Sequence, residues 1–545
     1  MLPLVTILLA GVARADVHLL APADQAIVTT SAVEVRLALD APDDATALAV
    51  SVDGEDVTAR LRGTGLDRTL VRAGVPRGTT VLRLGANRLR VSAPSGVTDV
   101  SFVWRPAIER VHLIVVGNRI DFAAYVSFAT WQAEVDRLFE TYVRPNVVAG
   151  RPNVVLLTED FGLPPALIGT RGATTRAAKD ADPLTALTNL FVSYGPQAGY
   201  YSSHFTLPGT GIAPLARALE LALTDTIWRA FVPVLSAKAA SLGVYLAACA
   251  NVAPAHRSTD AADVAFFGDL DDPARTDVFL PDGIDVWNTA FLFGPDGGVI
   301  GSTRKVNLTP PERDLLNLSN GALDDVRVFD TPAGRIGFAI SLDAFVSSYV
   351  HRLDDLGATL VLQPDANPGL WADPTFWQPD QWTESILGML RADLPNLAYN
   401  ATSMMTGNFF PGTLDPNGEP TGILFDGQTT VTRRMQRPPK HGFVAMLPGK
   451  ELTILGQPLH GEFIGLSPWA FPDPATLRSL KEADALRARC QSAVGAGVAP
   501  GAMTLDMRRA LLVDCAKTLL PGGANANGYR ESVVTADVTV PVTRR

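Results

Sequence analysis

Gly334-Arg335-Ile336-Gly337-Phe338-Ala339-Ile340 runs directly into Ser341-Leu342-Asp343. The run is nearly all apolar over seven residues, too short for a helix and without the polar alternation of a half-exposed strand. Such a strand is buried on both faces, which requires a sheet covered by helices. It ends in a hydroxyl and a carboxylate, groups that are costly to bury unless they are paired or used.

Working outward, the same pattern recurs. Val111 to Val116, Val154 to Leu157, Val244 to Ala248 and Thr359 to Leu362 are further apolar runs. Between them lie stretches with helical character at Trp131 to Val143, Ile212 to Ala222 and Thr226 to Ala240. Asn288 to Gly301 reads as a hairpin turning at Gly294-Pro295-Asp296-Gly297-Gly298. Buried strands alternating with amphipathic helices predict a layered α/β or α+β domain.

The flanks read differently. Val33-Glu34-Val35-Arg36-Leu37-Ala38-Leu39 alternates with period two, and similar short strands follow at Leu48 to Val52, Arg88 to Ala93 and Val97 to Trp104. This spacing predicts an antiparallel β-sandwich over 16–106, resembling the immunoglobulin-like modules of exported bacterial proteins. Beyond 448 the chain is expected to be mostly helical, at Asp473 to Ala493 and Met503 to Leu520, before a closing strand at Glu531 to Thr539. The divisions are therefore 1–15, 16–106, 107–448, 449–528 and 529–545.

Met1 to Ala15, MLPLVTILLAGVARA, has an apolar stretch of signal-peptide length and the A-x-A form of a cleavage site at Ala13-Arg14-Ala15. It is too short to span a bilayer. The expectation is an extracytoplasmic protein, periplasmic or secreted, with no membrane insertion. Export would permit a disulfide between Cys490 and Cys515. The net charge of −10, with no Lys/Arg block, gives no footprint for nucleic acid. Three cysteines and seven scattered histidines make neither a Cys-rich zinc site nor an HExxH pair, so no metal is expected. Eight aspartates between Asp260 and Asp285 lack EF-hand spacing and read as a solvated acidic loop. Cys249, at the end of an apolar strand, reads as a packed hydrophobe. Trp371, Trp377 and Trp382 read equally as packing residues or as an aromatic wall over a pocket.

Three strand ends carry chemistry. Val154-Val155-Leu156-Leu157-Thr158 delivers Glu159, the hairpin ending Ser302-Thr303-Arg304 delivers Lys305, and the opening strand delivers Ser341. An acid, an amine and a hydroxyl suit a base, an oxyanion partner and a nucleophile, although each is also an ordinary strand-end residue.

These segments resemble the carbon–nitrogen hydrolase (nitrilase) superfamily, whose members carry Glu, Lys and Cys in that chain order on an α-β-β-α sandwich. Val154 to Glu159 is similar to the strand bearing the family's Glu. Trp287 to Arg313 is similar to the hairpin with its Lys and the following loop with a second Glu, here Glu312. Gly334 to Asp343 is similar to the nucleophile strand, and Gly357 to Asn367 to the strand after it, which brings in Asn367 as a supporting residue. Asn400 and Phe425 to Thr430 fit later elements. The resemblance implies a four-layer sandwich completed by the final strand. It also implies a covalent acyl-enzyme route on an amide or nitrile substrate, no cofactor, and self-association through 107–448.

The chain departs from the family at the nucleophile, where Ser341 stands for Cys. A hydroxyl is far less acidic than a thiol of ordinary pKa about 8.5 and usually relies on an oriented His. His351, ten residues on, belongs to the next helical stretch, and Ser341 has no G-x-S-x-G elbow. Insertions are expected around 164–215 and 256–282. Two functions follow: a hydrolase working through Glu159, Lys305 and Ser341, or a catalytically inactive relative that keeps the pocket to bind a small molecule or a protein.

Overall fold

The computed structural model describes residues 17–39, 48–56, 67–70, 82–94, 96–179, 181–366, 369–370, 394, 396–410, 423–426, 429–434, 453–454, 457–458, 461–467 and 531–544. The leader 1–15, Asn367, the three tryptophans after it, and both Cys490 and Cys515 lie outside the described residues.

Two six-stranded mixed sheets form the centre. The first contains β1 (Ala107–Gly117), β2 (Asn153–Leu156), β3 (Tyr245–Val252), β4 (Trp287–Phe293) and β5 (Val299–Arg304). The second contains β6 (Val328–Thr331), β7 (Gly334–Phe338), β8 (Leu360–Asp365), β9 (Tyr399–Met404), β10 (Thr430–Arg434) and β11 (Gly461–Leu466). The closing strand, β12 (Ser532–Val542), returns to the first sheet. Strand order is β5-β4-β3-β2-β1-β12 in the first sheet and β6 to β11 in sequence in the second. Parallel pairing is confined to β1/β2/β3 and β7/β8/β9.

One apolar core is shared between the sheets: Val111, Leu113, Leu156 and Ala247 from the first meet Ile336, Phe338, Leu360 and Leu362 from the second. The outer face of the first sheet packs against α1 (Phe128–Leu138) and α2 (Thr224–Leu242), and Trp131 Nε1 donates to Ala230 O at 2.9 Å. The outer face of the second sheet packs Ala339 and Val361 against Tyr349, Val350 and Leu353 of α3 (Ser347–Asp355). Burial on both faces is why these strands read as continuous apolar runs.

Close approach is built in at two glycines. A Cβ on Gly337 of β7 would sit 2.9 Å from Leu353 Cδ2 of α3. A Cβ on Gly162 would sit 2.3 Å from Ala250 Cβ, so only glycine lets the turn after β2 lie directly on β3.

Before Ala107, Val17–Ala21, Val33–Leu39 and Asp67–Leu70 form a three-stranded sheet. Ile27–Val28, Ala49–Val52, Glu55–Asp56, Gly85–Ala93 and Gly96–Trp104 form a five-stranded one. Val33, Val35 and Leu37 of the first share a core with Val50, Leu89, Phe102 and Trp104 of the second. A hydrogen bond of 2.9 Å from Ser31 Oγ to Asp330 Oδ1 ties this unit to β6.

Two sequence expectations need correction. Gly461–Leu466 lies inside 449–528, assigned to a helical insert, yet it is the edge strand of the second sheet, paired with β10. The sequence GEFIGL has too few residues and too many glycines for a helix, and β10 offers it an open sheet edge. The acidic segment is solvated at Asp260, Asp271, Asp272, Asp282 and Asp285, but it is not simply a loop. It folds as a hairpin, Ala255–Ser258 with Val278–Pro281, and a short helix, Ala261–Phe267. Its carboxylates have structural partners: Asp260 caps that helix, Asp269 pairs with Arg229 at 2.6 Å, and Asp277 pairs with Arg275 at 3.1 Å. Arg275 belongs to the segment itself, whereas Arg229 reaches Asp269 from α2 and is invisible in local composition.

Candidate active site

Glu159 opens a single turn, Glu159–Gly162, where the chain leaves β2, and Lys305 is the first residue after β5. Both are buried, at 4% and 1% exposure. Lys305 Nζ donates to Glu159 Oε1 at 2.6 Å and to Glu312 Oε2 at 2.7 Å. Glu312 comes from a one-turn element, Pro311–Leu315, and its Oε2 also accepts from Thr309 N and Thr309 Oγ1, both at 2.8 Å. The first two strand-end residues and the second Glu therefore form one cluster.

Asn288 completes the cluster, a role the sequence reading did not give it. Its Nδ2 donates to Glu159 Oε1 at 2.8 Å and to Glu312 Oε1 at 2.9 Å. Among the described residues, its buried Oδ1 has no partner. A lone amide within the apolar strand Trp287–Phe293 was the available signal.

The electrostatics follow from this geometry. Burial works against the charge on Lys305, but Glu159 and Glu312 outweigh it and hold the ammonium protonated. Burial also pushes Glu312 up, yet the ion pair with Lys305 and the donors from Asn288 and Thr309 bring it below its ordinary value. For Glu159, burial and the neighbouring Glu312 prevail over Lys305, and its pKa is raised. Asp160 is raised well above the usual carboxylate range by burial and by both glutamates.

Ser341 opens the turn Ser341–Phe345 after β7, is 8% exposed, and has φ +44°. Left-handed backbone at a residue with a Cβ costs about 1–2 kcal/mol and is found where surrounding structure fixes it. Asp343 does much of the fixing. Its Oδ1 accepts from Asn307 N and Asn307 Nδ2 at 2.8 Å each, and from Val306 N at 3.2 Å. The serine turn is thus fastened to the two residues that follow Lys305. Burial pushes the Asp343 carboxyl up to about 7.

Asp365, the last residue of β8, was also missed. It is fully buried; its Oδ2 accepts from Gln363 Nε2 at 2.8 Å, and it ends the strand that runs parallel beside β7, which leads into Ser341. The signal was the one that marked Glu159, a carboxylate closing an apolar strand. Cys249 is buried in the shared core, where burial raises its thiol well above the ordinary value, so it stays a packed hydrophobe. His351 lies on α3 with Nδ1 2.7 Å from Ser347 O. Among the described residues, no group of His, Cys, Asp and Glu is arranged to hold a metal ion, and no helix is long and apolar enough to cross a membrane.

Residues 274–432 match the family model for carbon–nitrogen hydrolases. The chain contains a carbon–nitrogen hydrolase domain. The matched segment carries Lys305, Glu312, Ser341 and Asp365, while Glu159 lies upstream of it. Over 79 residues the chain is 37% identical to the Probable hydrolase YhcX of Bacillus subtilis (strain 168), a match spanning 14% of this chain and 15% of that protein's length. Among solved structures, a carbon–nitrogen hydrolase from Helicobacter pylori G27 aligns at 15% identity and a TM-score of 0.34, covering 60% of this chain and 82% of that one. A cysteine-to-serine variant of the Nesterenkonia AN1 amidase, from the nitrilase superfamily, aligns at 16% identity and a TM-score of 0.31, covering 61% and 85%.

Proposed function

We propose that this protein hydrolyses carbon–nitrogen bonds of the amide or nitrile type through an acyl-enzyme on Ser341. The supporting observation is the buried Lys305 ammonium clamped between Glu159 and Glu312. A buried charge contributes little to stability compared with apolar packing of the same volume, so its retention beside a strained strand-end serine favours a functional role.

In this reading Ser341 Oγ attacks the substrate carbon as its proton passes to a site carboxylate, and the electron pair displaced from the carbonyl becomes an oxyanion facing Lys305. Collapse of that intermediate expels the amine, which takes a proton from a site carboxyl. Glu159 then takes a proton from the water attacking the acyl carbon and returns it to Ser341 Oγ as the Oγ–C bond breaks and the acid leaves, a role its raised pKa suits. No cofactor is required by these steps.

The remaining architecture is read in the same spirit. The layers are assigned as an α-β-β-α sandwich, and 16–106 as an immunoglobulin-like module for spacing or adhesion. Residues 1–15 are assigned as an export signal, with Cys490 and Cys515 paired in the exported protein. N-terminal sequencing of secreted material should begin at Asp16, and intact chain starting at Met1 in the medium would contradict the export assignment.

The functional test is ammonia release from a panel of simple amides and nitriles by the wild-type protein, Ser341→Ala and Ser341→Cys. Wild-type turnover abolished in Ser341→Ala supports the proposal. Inert wild-type and Ser341→Cys proteins would replace it with the binding reading, in which the pocket holds a ligand without chemistry.

A further inference from the structure

In the resting site Glu159 is engaged by other donors. Its Oε1 already accepts from Lys305 and Asn288, and its Oε2 accepts from Ala366 N at 3.1 Å. Asp365 is differently disposed. It sits at the end of β8, the parallel neighbour of β7, and Ala339 N donates to Leu362 O at 3.0 Å, so the two strands deliver Ser341 and Asp365 side by side. Gln363 holds Asp365 Oδ2, and Gln363 Oε1 is itself held by Asn400 Nδ2 at 3.1 Å. Asp365 Oδ1 is buried and, among the described residues, has no hydrogen-bond partner of ordinary geometry. An oriented carboxylate with one unused oxygen, delivered beside a strand-end hydroxyl by parallel neighbouring strands, is the arrangement a serine nucleophile needs when no histidine is at hand.

We propose that Asp365 is the catalytic base of Ser341, accepting the hydroxyl proton as Oγ attacks. The proposal rests on the hydrolase reading above. The Oγ–C bond forms, the carbonyl π pair moves to oxygen opposite Lys305, and the Oγ proton passes to Asp365. The carboxylic acid then returns that proton to the departing amine as the C–N bond breaks, so no proton or electron is left unbalanced. The serine for cysteine exchange is thereby matched by a carboxylate within its reach.

The groups facing Asp365 are Ser341 from the β7 turn, Gln363 of β8, Glu159, Lys305 and, within the shared core, Cys249. Burial and Glu159 raise the carboxyl, while Ser341, Gln363 and Lys305 oppose them. A carboxyl raised above the ordinary aspartate range is better matched to a hydroxyl than an ordinary aspartate, and it makes turnover rise with pH as Asp365 ionises.

The test does not depend on turnover. In Ser341→Cys, the rate of iodoacetamide labelling at residue 341, located by peptide mass mapping, is followed from pH 5 to 10. A thiol sharing a site with a carboxyl titrates in two steps. The profile should therefore be biphasic in Ser341→Cys and become a single step in Ser341→Cys/Asp365→Asn and Ser341→Cys/Asp365→Ser. Superimposable profiles in all three proteins would overturn the proposal, whether or not any of them hydrolyses amides. If the wild type is active, Asp365→Asn should lower kcat at least a hundredfold with little change in KM and abolish the rise with pH. An unaltered pH profile in that variant would also overturn it.

Discussion

Replacing Lys305 with Met tests whether the buried cluster is electrostatically coupled as described. Lys305 is 1% exposed and bridges Glu159 and Glu312 through contacts of 2.6 and 2.7 Å. Met keeps most of the side-chain volume, so the perturbation is chiefly loss of the positive charge. Two buried carboxylates then face one another with only the shared Asn288 amide between them. Removing one partner of a buried ion pair costs about 3–5 kcal/mol, and here the stranded groups also repel. The sign with pH follows from Glu312, whose pKa is depressed in the folded protein by Lys305. Its stabilisation is present above the ordinary carboxylate range and is lost as pH falls. Lys305→Met should therefore cost about 4 kcal/mol at pH 8 and well under half of that near pH 4.5, where the carboxyls take up protons. Urea unfolding followed by tryptophan fluorescence at both pH values reads this, with a midpoint lowered by more than about 1 M at pH 8. Lys305→Met/Glu312→Gln should recover roughly half the loss at pH 8. A cost below about 1 kcal/mol at pH 8, or one independent of pH, would refute the reasoning.

Three further outcomes are expected. Glu220 is buried, its Oε2 has no partner among the described residues, and burial pushes its pKa up to about 8. A raised carboxyl favours the folded state at low pH and loses that advantage as pH climbs, so Glu220→Gln should match the wild type near pH 4 and exceed it by up to about 4 kcal/mol above pH 8, read by thermal unfolding. Asp343→Ala frees the N–H groups of Val306 and Asn307 and should destabilise the protein by about 2–3 kcal/mol while lowering any turnover, because the Lys305 loop loses its fastening to the serine turn. Gly162→Ala sets a methyl 2.3 Å from Ala250 Cβ and should cost about 1–3 kcal/mol and shift the Glu159 turn, seen as reduced hydrolysis and a lower melting temperature.

The elements that could be read from sequence were those whose signal is local. Glu159, Lys305 and Ser341 each close a run of apolar residues, and a polar group at such a place stands out against its neighbours. Asn288 and Asp365 carry the same mark, but their importance depends on which strands lie beside them. Asp365 acquires its role only because β8 runs parallel to β7, and Asn288 only because β4 lies against β3. Pairing between distant segments cannot be read from the period of one of them. The same limit explains Gly461–Leu466, which is a strand because β10 has an open edge, and the acidic segment, which is tied to α2 by Arg229 on Asp269 and by Arg275 on Asp225.

The central claim, that Ser341 carries an acyl group during hydrolysis of a carbon–nitrogen bond, is most directly tested by intact-mass analysis of the quenched reaction. The wild-type protein is mixed with an activated anilide, quenched in acid within milliseconds to seconds, weighed and peptide-mapped. The account predicts one added acyl mass per chain, located on Ser341, accumulating in Lys305-intact protein and absent from Ser341→Ala. Amide hydrolysis without any acyl mass on residue 341, or an adduct that persists in Ser341→Ala, would contradict it.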